Sequence, residues 1–253
     1  MLHIVKMGGK IIEDEFLLDN FLKNFQLLHG SKILIHGGGS YASLLLKKLG
    51  FYTKIVEGRR ITNSKTLEVL ALSYAGLLNK QIVASLRTLN EGAIAIGFSG
   101  ADGNIICSFS RSVRAIDYGH VGDFNKKSVN IKCLYSLIQL NYVPILCSLT
   151  CDAKGNLLNT NADTIASYIA IAMSEIEEIF LHFCFEKKGV LKNMKNANSF
   201  LSKINFSTPE KFRNGILPKL ENAFYAIKKE VRWVNILHPS SLLRRKDKTL
   251  LFL

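Results

Sequence analysis

Proline is scarce, with 4 in 253 residues, tryptophan occurs once, and no Cys-x-x-Cys pair exists among the five cysteines. The low proline count and the lack of low-complexity tracts or repeats argue against a flexible tether, so any two lobes are expected to share one continuous sheet. An odd number of cysteines (Cys107, Cys133, Cys147, Cys151, Cys184) does not make a disulfide framework. They read as reduced core thiols of a cytoplasmic protein, with a Cys147–Cys151 redox pair as the lesser alternative. No apolar run reaches the roughly 20 residues of a membrane helix, and the start, MLHIVKMGGK, lacks the long apolar core of a signal peptide. A Walker loop is absent, and so is G-x-G-x-x-G.

Acidic residues are also few, 20 against 33 Lys and Arg, which leaves a net charge of +13. The excess is uneven. Residues 1–183 hold 18 basic and 15 acidic side chains, whereas residues 184–253 hold 15 and 5. A surplus of +10 in the last 70 residues points to an anionic partner handled by the second half. Nucleic acid is a weak candidate, because no recognised nucleic-acid module occurs. A solvated lysine-rich surface is the bland reading of many of these charges.

What is present suits a soluble globular protein. Hydrophobic residues make up 48% and charged residues 21%, and 253 residues bury a sizeable core without disulfides. Short apolar runs at Leu2–Lys6, Lys32–Ile35, Ala93–Phe98, Val143–Leu149, Ile179–Phe185 and Trp233–Leu237 read as buried strands. Helical patterns fall near 14–29, 40–49, 64–90, 126–140, 162–174 and 209–229. The alternation predicts an α/β fold, a three-layer αβα sandwich around a mostly parallel sheet.

In such folds ligands gather beyond the carboxyl ends of the strands. There the sequence places Lys6-Met7-Gly8-Gly9-Lys10, His36-Gly37-Gly38-Gly39-Ser40, Ser99-Gly100-Ala101-Asp102-Gly103, Asn159-Thr160-Asn161-Ala162-Asp163 and Lys187-Lys188-Gly189. Glycine lets backbone approach a ligand, and a loop entering a helix offers free N–H groups to an anion. A lipase oxyanion hole is the other use of His-Gly-Gly-Gly, but its G-x-S-x-G partner fails at Ala101. Lys6 ends a buried strand, an uncommon place for an unpaired lysine. Lys219 follows Pro218 in a helical region, where a kink or a helix end could turn it inward. Two lysines converging there would neutralise a transferring phosphoryl group, with Asp163 between them.

Taken in order, Lys6-x-Gly8-Gly9, His36-Gly37-Gly38-Gly39, Gly58-Arg59-Arg60-Ile61-Thr62, Asn159-Thr160-Asn161-Ala162-Asp163 and Gly215-Ile216-Leu217-Pro218-Lys219 resemble the amino-acid kinase superfamily. Within it, Tyr118-Gly119-His120-Val121-Gly122-Asp123 resembles the N-acetylglutamate kinases of arginine biosynthesis. The resemblance runs from about residue 3 to 225. It implies transfer of the γ-phosphoryl of MgATP to a side-chain carboxylate, giving an acyl phosphate.

Residue by residue, the resemblance makes Lys6 and Lys219 transition-state stabilisers and Asp163 their organiser. Gly38, Gly39, Arg60, Asn159 and Asn161 would bind the acylated glutamate, and Gly8 and Gly9 would approach the phosphates. The fork of Arg60 suits an α-carboxylate. Gly189, Val190 and Leu191 match the nucleotide segment, although Glu186-Lys187-Lys188 before them departs from the family's D-V-x. Ile236-Leu237-His238-Pro239 likewise departs from I-x-D-G, and the chain ends in a basic segment with Arg244-Arg245-Lys246.

By the same resemblance, residues 1–175 form a lobe for acyl-amino-acid binding and dimerisation, and residues 176–253 a lobe for ATP. No metal ligands are expected, since Mg2+ travels with the nucleotide. Arginine-inhibited hexameric members carry an extra N-terminal helix, so this chain is expected to be a cytoplasmic homodimer without arginine feedback. Alternatives are an N-succinylglutamate kinase and a catalytically weakened regulator on the same scaffold. Branches acting on carbamate, aspartate, glutamate or UMP fit the Gly58–Thr62 and Asn159–Asp163 motifs less well.

Overall fold

The computed structural model describes residues 1–89, 94–113, 115–192, 199–205, 217–244 and 248–252. In chain order the first half runs β1 (Leu2–Met7), α1 (Gly9–Glu13), α2 (Glu15–Gln26), β2 (Ser31–His36), α3 (Gly39–Lys48), β3 (Ile55–Val56), β4 (Arg59–Arg60) and α4 (Ser64–Ala71). A π-helical turn (Leu72–Leu78) leads into α5 (Asn79–Leu89), β5 (Ile94–Phe98), β6 (Phe109–Ser110), β7 (Gly122–Asp123), α6 (Ile131–Gln139) and β8 (Tyr142–Cys147). Then come β9 (Leu149–Cys151), β10 (Leu157–Asn159), α7 (Ala162–Met173), β11 (Ile179–Cys184), β12 (Lys203–Asn205), α8 (Leu217–Lys228), β13 (Trp233–Leu237) and β14 (Lys248–Phe252).

Eight strands form one sheet in the order β12-β14-β13-β11-β1-β2-β8-β5. Every pairing is parallel except β13 with β14. All six residues of β1 are buried, as expected for a strand covered on both faces. Its alternation divides the core. Leu2 and Ile4 join the cluster under α6, α7 and α8, while Val5 and Met7 join the one under α1, α2 and α5. Because β1 pairs with β11 from Leu2–Ile179 to Met7–Cys184, the sheet is continuous across the middle of the chain.

Local chemistry fixes the helix ends. Asp14 caps α2, its carboxylate accepting from the Leu17 N–H at 3.0 Å. At the other end Lys32, reaching in from β2, donates to the carbonyls of Gln26 at 2.6 Å and Leu28 at 2.7 Å. A cation on the last carbonyls of a helix satisfies them and complements the macrodipole.

Several expectations are altered. The apolar run 143–149 divides at Ser148, where the chain leaves β8 and turns into the hairpin β9–β10. The expected helix near 126–140 begins only at Ile131, capped by Asn130. The basic segment near the C-terminus leads into β14, which closes the sheet antiparallel to β13, with β12 outside it. The continuous helix from Ser64 to Leu89 is long and apolar enough to cross a membrane by length and composition. Its buried side chains, among them Ile82 and Leu86, pack into the core beside β5 and β8. Residues 209–216 of the last expected helix, and Ala93 of the third expected strand, lie outside the described residues.

Candidate active site

The carboxyl end of β1 delivers Lys6 to the first turn of α7. Alternation puts Lys6 on the same face as Ile4, the face α7 covers. Helix α7 begins where the sequence asks for it. The Asn161 side chain caps the helix, accepting from the N–H groups of Asp163 at 2.8 Å and Thr164 at 3.3 Å. Asp163 thus sits in the first turn, where the helix dipole favours a negative charge.

The Asp163 carboxylate is gripped from two sides. Lys6 Nζ lies 2.9 Å from Oδ1, and Lys219 Nζ, from the start of α8, lies 3.2 Å from both oxygens. Burial alone would raise the Asp163 pKa, but Lys219 and Lys6 outweigh it and hold the carboxyl at about 2. Burial, helped by the neighbouring Lys219 charge, pulls Lys6 down to about 8 against the opposing pull of Asp163. Two cations share one anion here, so the cluster carries a surplus positive charge aimed at the strand ends. The described part of α8 begins at Leu217, which leaves Gly215 and Ile216 outside the described residues.

A cavity of about 280 Å³ opens beside this cluster. Its wall includes Lys6, Gly9, Gly37, Gly38, Gly39, Arg60, Asn159, Asn161 and Asp163. The helices α3 and α7 both start at it, so two sets of N-terminal N–H groups face the same space. Gly38 is required by packing, since a Cβ there would meet Leu78 at 2.5 Å and the Tyr74 ring at 2.8 Å. Gly39 is different: it lines the cavity, and a Cβ there would meet nothing within 4 Å.

Arg60 is buried, and its guanidinium donates to Thr53 Oγ1 at 2.6 Å, Ser43 Oγ at 2.6 Å and the Gly39 carbonyl at 2.9 Å. Its backbone carbonyl accepts from Thr62 Oγ1 at 2.8 Å, and Thr62 in turn accepts from Asn159 Nδ2 at 3.0 Å. The Gly58–Thr62 and Asn159–Asp163 motifs, about a hundred residues apart, therefore meet in one hydrogen-bonded wall.

The structure brings together most of the sequence-predicted site but not all of it. Gly8 stands outside the cavity wall; its N–H donates to the Cys184 carbonyl at 2.9 Å, tying β1 to β11. Gly189, Val190 and Leu191 are buried under β14, away from the cavity. The Val190 N–H donates to Thr249 Oγ1 at 2.9 Å, and its carbonyl accepts from Leu201 at 2.9 Å. The cysteines are all free.

Sequence reasoning missed Tyr74, Ser148 and Thr160 in the wall and left Arg59 unassigned. Tyr74 lies inside the helical pattern near 64–90, and its place opposite the glycine loop is what distinguishes it. Arg59 belongs to the Gly58–Thr62 motif, and its partner Asp123, 3.6 Å away, is already held by Arg111 at 2.9 Å to each oxygen.

Residues 1–238 match the profile of the amino acid kinase family. An acetylglutamate kinase from Phocaeicola vulgatus is 45% identical over 250 residues, covering 95% of each chain. Another, from Parabacteroides distasonis, is 44% identical with 96% of each chain covered. Among solved structures, a carbamate kinase from Giardia lamblia bound to AMP-PNP superposes with a TM-score of 0.69 at 14% identity, covering 99% of this chain and 98% of that one. At that identity the likeness speaks for the fold.

Proposed function

The chain belongs to the amino acid kinase family, and we propose that it transfers the γ-phosphoryl group of ATP to the side-chain carboxylate of N-acetyl-L-glutamate, giving N-acetyl-L-glutamyl 5-phosphate in arginine biosynthesis. The carrying observation is the Lys6–Asp163–Lys219 cluster at the edge of a cavity whose far wall holds Arg60. Arg60 receives the α-carboxylate, with Asn159 and Asn161 beside it, while the N–H groups around Gly38 and Gly39 meet the reacting carboxylate. That carboxylate is already a nucleophile, so the site needs no general base. Its oxygen bonds to the γ-phosphorus as the bond to the β,γ-bridging oxygen breaks, and ADP takes that electron pair.

Catalysis is then positioning plus charge stabilisation. Lys6 and Lys219 supply the charge, and Asp163, kept ionised, fixes where they stand. Mg2+ enters with the phosphates of ATP. Residues 1–175 hold the acylated amino acid and residues 176–253 hold ATP, with Gly9, in the cavity wall, close to the phosphates.

Two exposed leucines on the long helix, Leu72 and Leu77, and the apolar sheet-edge strand β5 support a homodimer. An assay for ADP release tests the function. Turnover with MgATP and N-acetylglutamate is expected; folded protein that binds the amino acid without turnover would instead support a regulator on a kinase scaffold.

A second reading, phosphorylation of N-succinylglutamate, is favoured by Arg59. This arginine lines the same cavity, and its nearest acidic partner is already occupied by Arg111. A cation with donors to spare suits an acyl group that ends in a carboxylate. Arg59→Leu should lower the N-succinyl over N-acetyl preference by about tenfold if the reading is correct. An unchanged ratio removes it.

A further inference from the structure

His36 ends β2 just before the glycine loop, fully buried and outside the cavity wall. Nothing in the phosphoryl transfer uses it, yet both of its ring nitrogens are engaged. Nδ1 lies 2.8 Å from the Gly37 carbonyl, and Nε2 lies 3.0 Å from Asn79 Nδ2, at the start of α5.

The partners settle which nitrogen carries the proton. Asn79 Nδ2 also donates to the Ile145 carbonyl of β8 at 2.9 Å, so turning the amide over would set its oxygen against that carbonyl. The amide oxygen accepts from Lys80 Nζ at 3.4 Å. Gly97 of β5 leaves the room this side chain occupies, since a Cβ there would collide with Asn79 Oδ1. With an amide hydrogen aimed at Nε2, that nitrogen accepts, and the ring proton sits on Nδ1, which donates to the Gly37 carbonyl.

The consequence reaches the cavity through one peptide plane. The Gly37 carbonyl and the Gly38 N–H belong to the same trans peptide and point in opposite directions. A carbonyl turned toward buried His36 therefore turns the N–H toward the cavity that Gly37 and Gly38 both line. Among the described residues no protein group accepts from that N–H. Three glycines in a row would otherwise leave its direction free.

We propose that His36 and Asn79 are positioning residues: Asn79 fixes the imidazole tautomer, the imidazole pins the Gly37 carbonyl, and the Gly38 N–H is thereby aimed at the reacting carboxylate. The proposal rests on the acylglutamate kinase reading.

The test compares two amides at one position. His36→Asn keeps a donor near the place of Nδ1, on the Gly37 carbonyl, whereas His36→Gln keeps one near the place of Nε2 and leaves that carbonyl unheld. With N-acetylglutamate, His36→Gln should lower kcat by about tenfold or more while KM for ATP stays within about twofold, and His36→Asn should restore kcat to within about threefold of wild type. The urea midpoints of the two variants should fall together, because both lose the same ring. Equal kcat values in the two variants, or a kcat that merely follows the urea midpoint, would overturn the proposal. The tautomer is read without any variant, from the ring 15N shifts of His36 in the wild-type protein. A protonated Nδ1 with a bare Nε2 is expected, and the reverse would overturn the proposal. Wild-type protein without turnover on any acylglutamate would instead bring down the function reading and this inference with it.

Discussion

A side chain added at Gly39, in the wall built by the first half of the chain, would meet no protein atom within 4 Å, whereas one added at Gly189 would run into Thr249 and Phe200. Both glycines follow strands at the same edge of the sheet, and both belong to family motifs. One leaves room for something that is not protein, and the other lets protein fill the space. The substrate wall is thus built open, its arginine and helix ends already held by Thr53, Ser43 and Asn161. The segment after β11 is built closed, with Val190 and Leu191 turned into the sheet edge that β14 completes.

The two walls meet at Asp163, and the largest expected effect lies there. Lys219→Ala removes a charge supplied by the second half to a site shaped by the first. We expect kcat to fall by about 100-fold or more, with a smaller change in KM for the acylated amino acid. An unchanged kcat would place the transition-state charge on Lys6 alone. Next comes Gly189→Ala, which forces a Cβ against buried Thr249 and half-buried Phe200. Overpacking of this kind costs about 1–3 kcal/mol. A urea midpoint that falls while kcat per folded molecule holds would mark Gly189 as a packing glycine; loss of ATP affinity at unchanged stability would mark it as a ligand glycine.

Solution pH probes the first half through histidines buried without charge. Burial lowers His36, under the glycine loop, to about 4, against the opposing effect of its bond to Gly37. Burial also lowers His3 in β1 to about 4, where it bonds His182 of β11 at 3.0 Å. Between those values and the ordinary histidine range the unfolded chain binds more protons than the folded one. Stability therefore rises with pH across that window and is lost as pH falls below about 6.5. Each histidine should remove about 1 kcal/mol by pH 5.5, read as a lower urea midpoint than at pH 7.5. A flat response would mean that the rings accept protons without disturbing the sheet.

Much of this contrast was legible in the residues. Buried strands such as Leu2–Met7 and Trp233–Leu237 are apolar enough to stand out, and the glycine and polar clusters after them locate the functional edge. Arg60 and Asn159 could be named because their motifs resemble those of the amino-acid kinase family, and Asp163 because it stands at a helix start where it can hold two lysines. The hairpins β3–β4 and β6–β7 were not legible, because two-residue strands have no periodicity to detect. Nor was β14, whose five residues follow a basic run and depend on pairing with a strand already formed. The charge excess was a coarse guide. Lys219 faces the site from one end of α8, while Lys228 and Lys229 lie in a groove at its other end with Tyr168 and Tyr225. The π-helical turn left no trace, since its register depends on what the helix packs against.

The smallest effect is the most diagnostic of the open wall. Gly39 has an ordinary negative φ at the first position of α3, and alanine is the better helix former there by roughly 0.5–1 kcal/mol. Gly39→Ala should therefore leave the thermal midpoint unchanged or slightly raised. Gly39 lines the cavity and the added methyl meets no other side chain, so KM for N-acetylglutamate should rise by about fivefold while KM for ATP stays put. Opposite signs for stability and substrate affinity at one residue are what an open wall requires. Gly189→Ala should lower stability and leave acylglutamate affinity alone, so the two variants measured side by side decide whether the glycines of the two halves do different work.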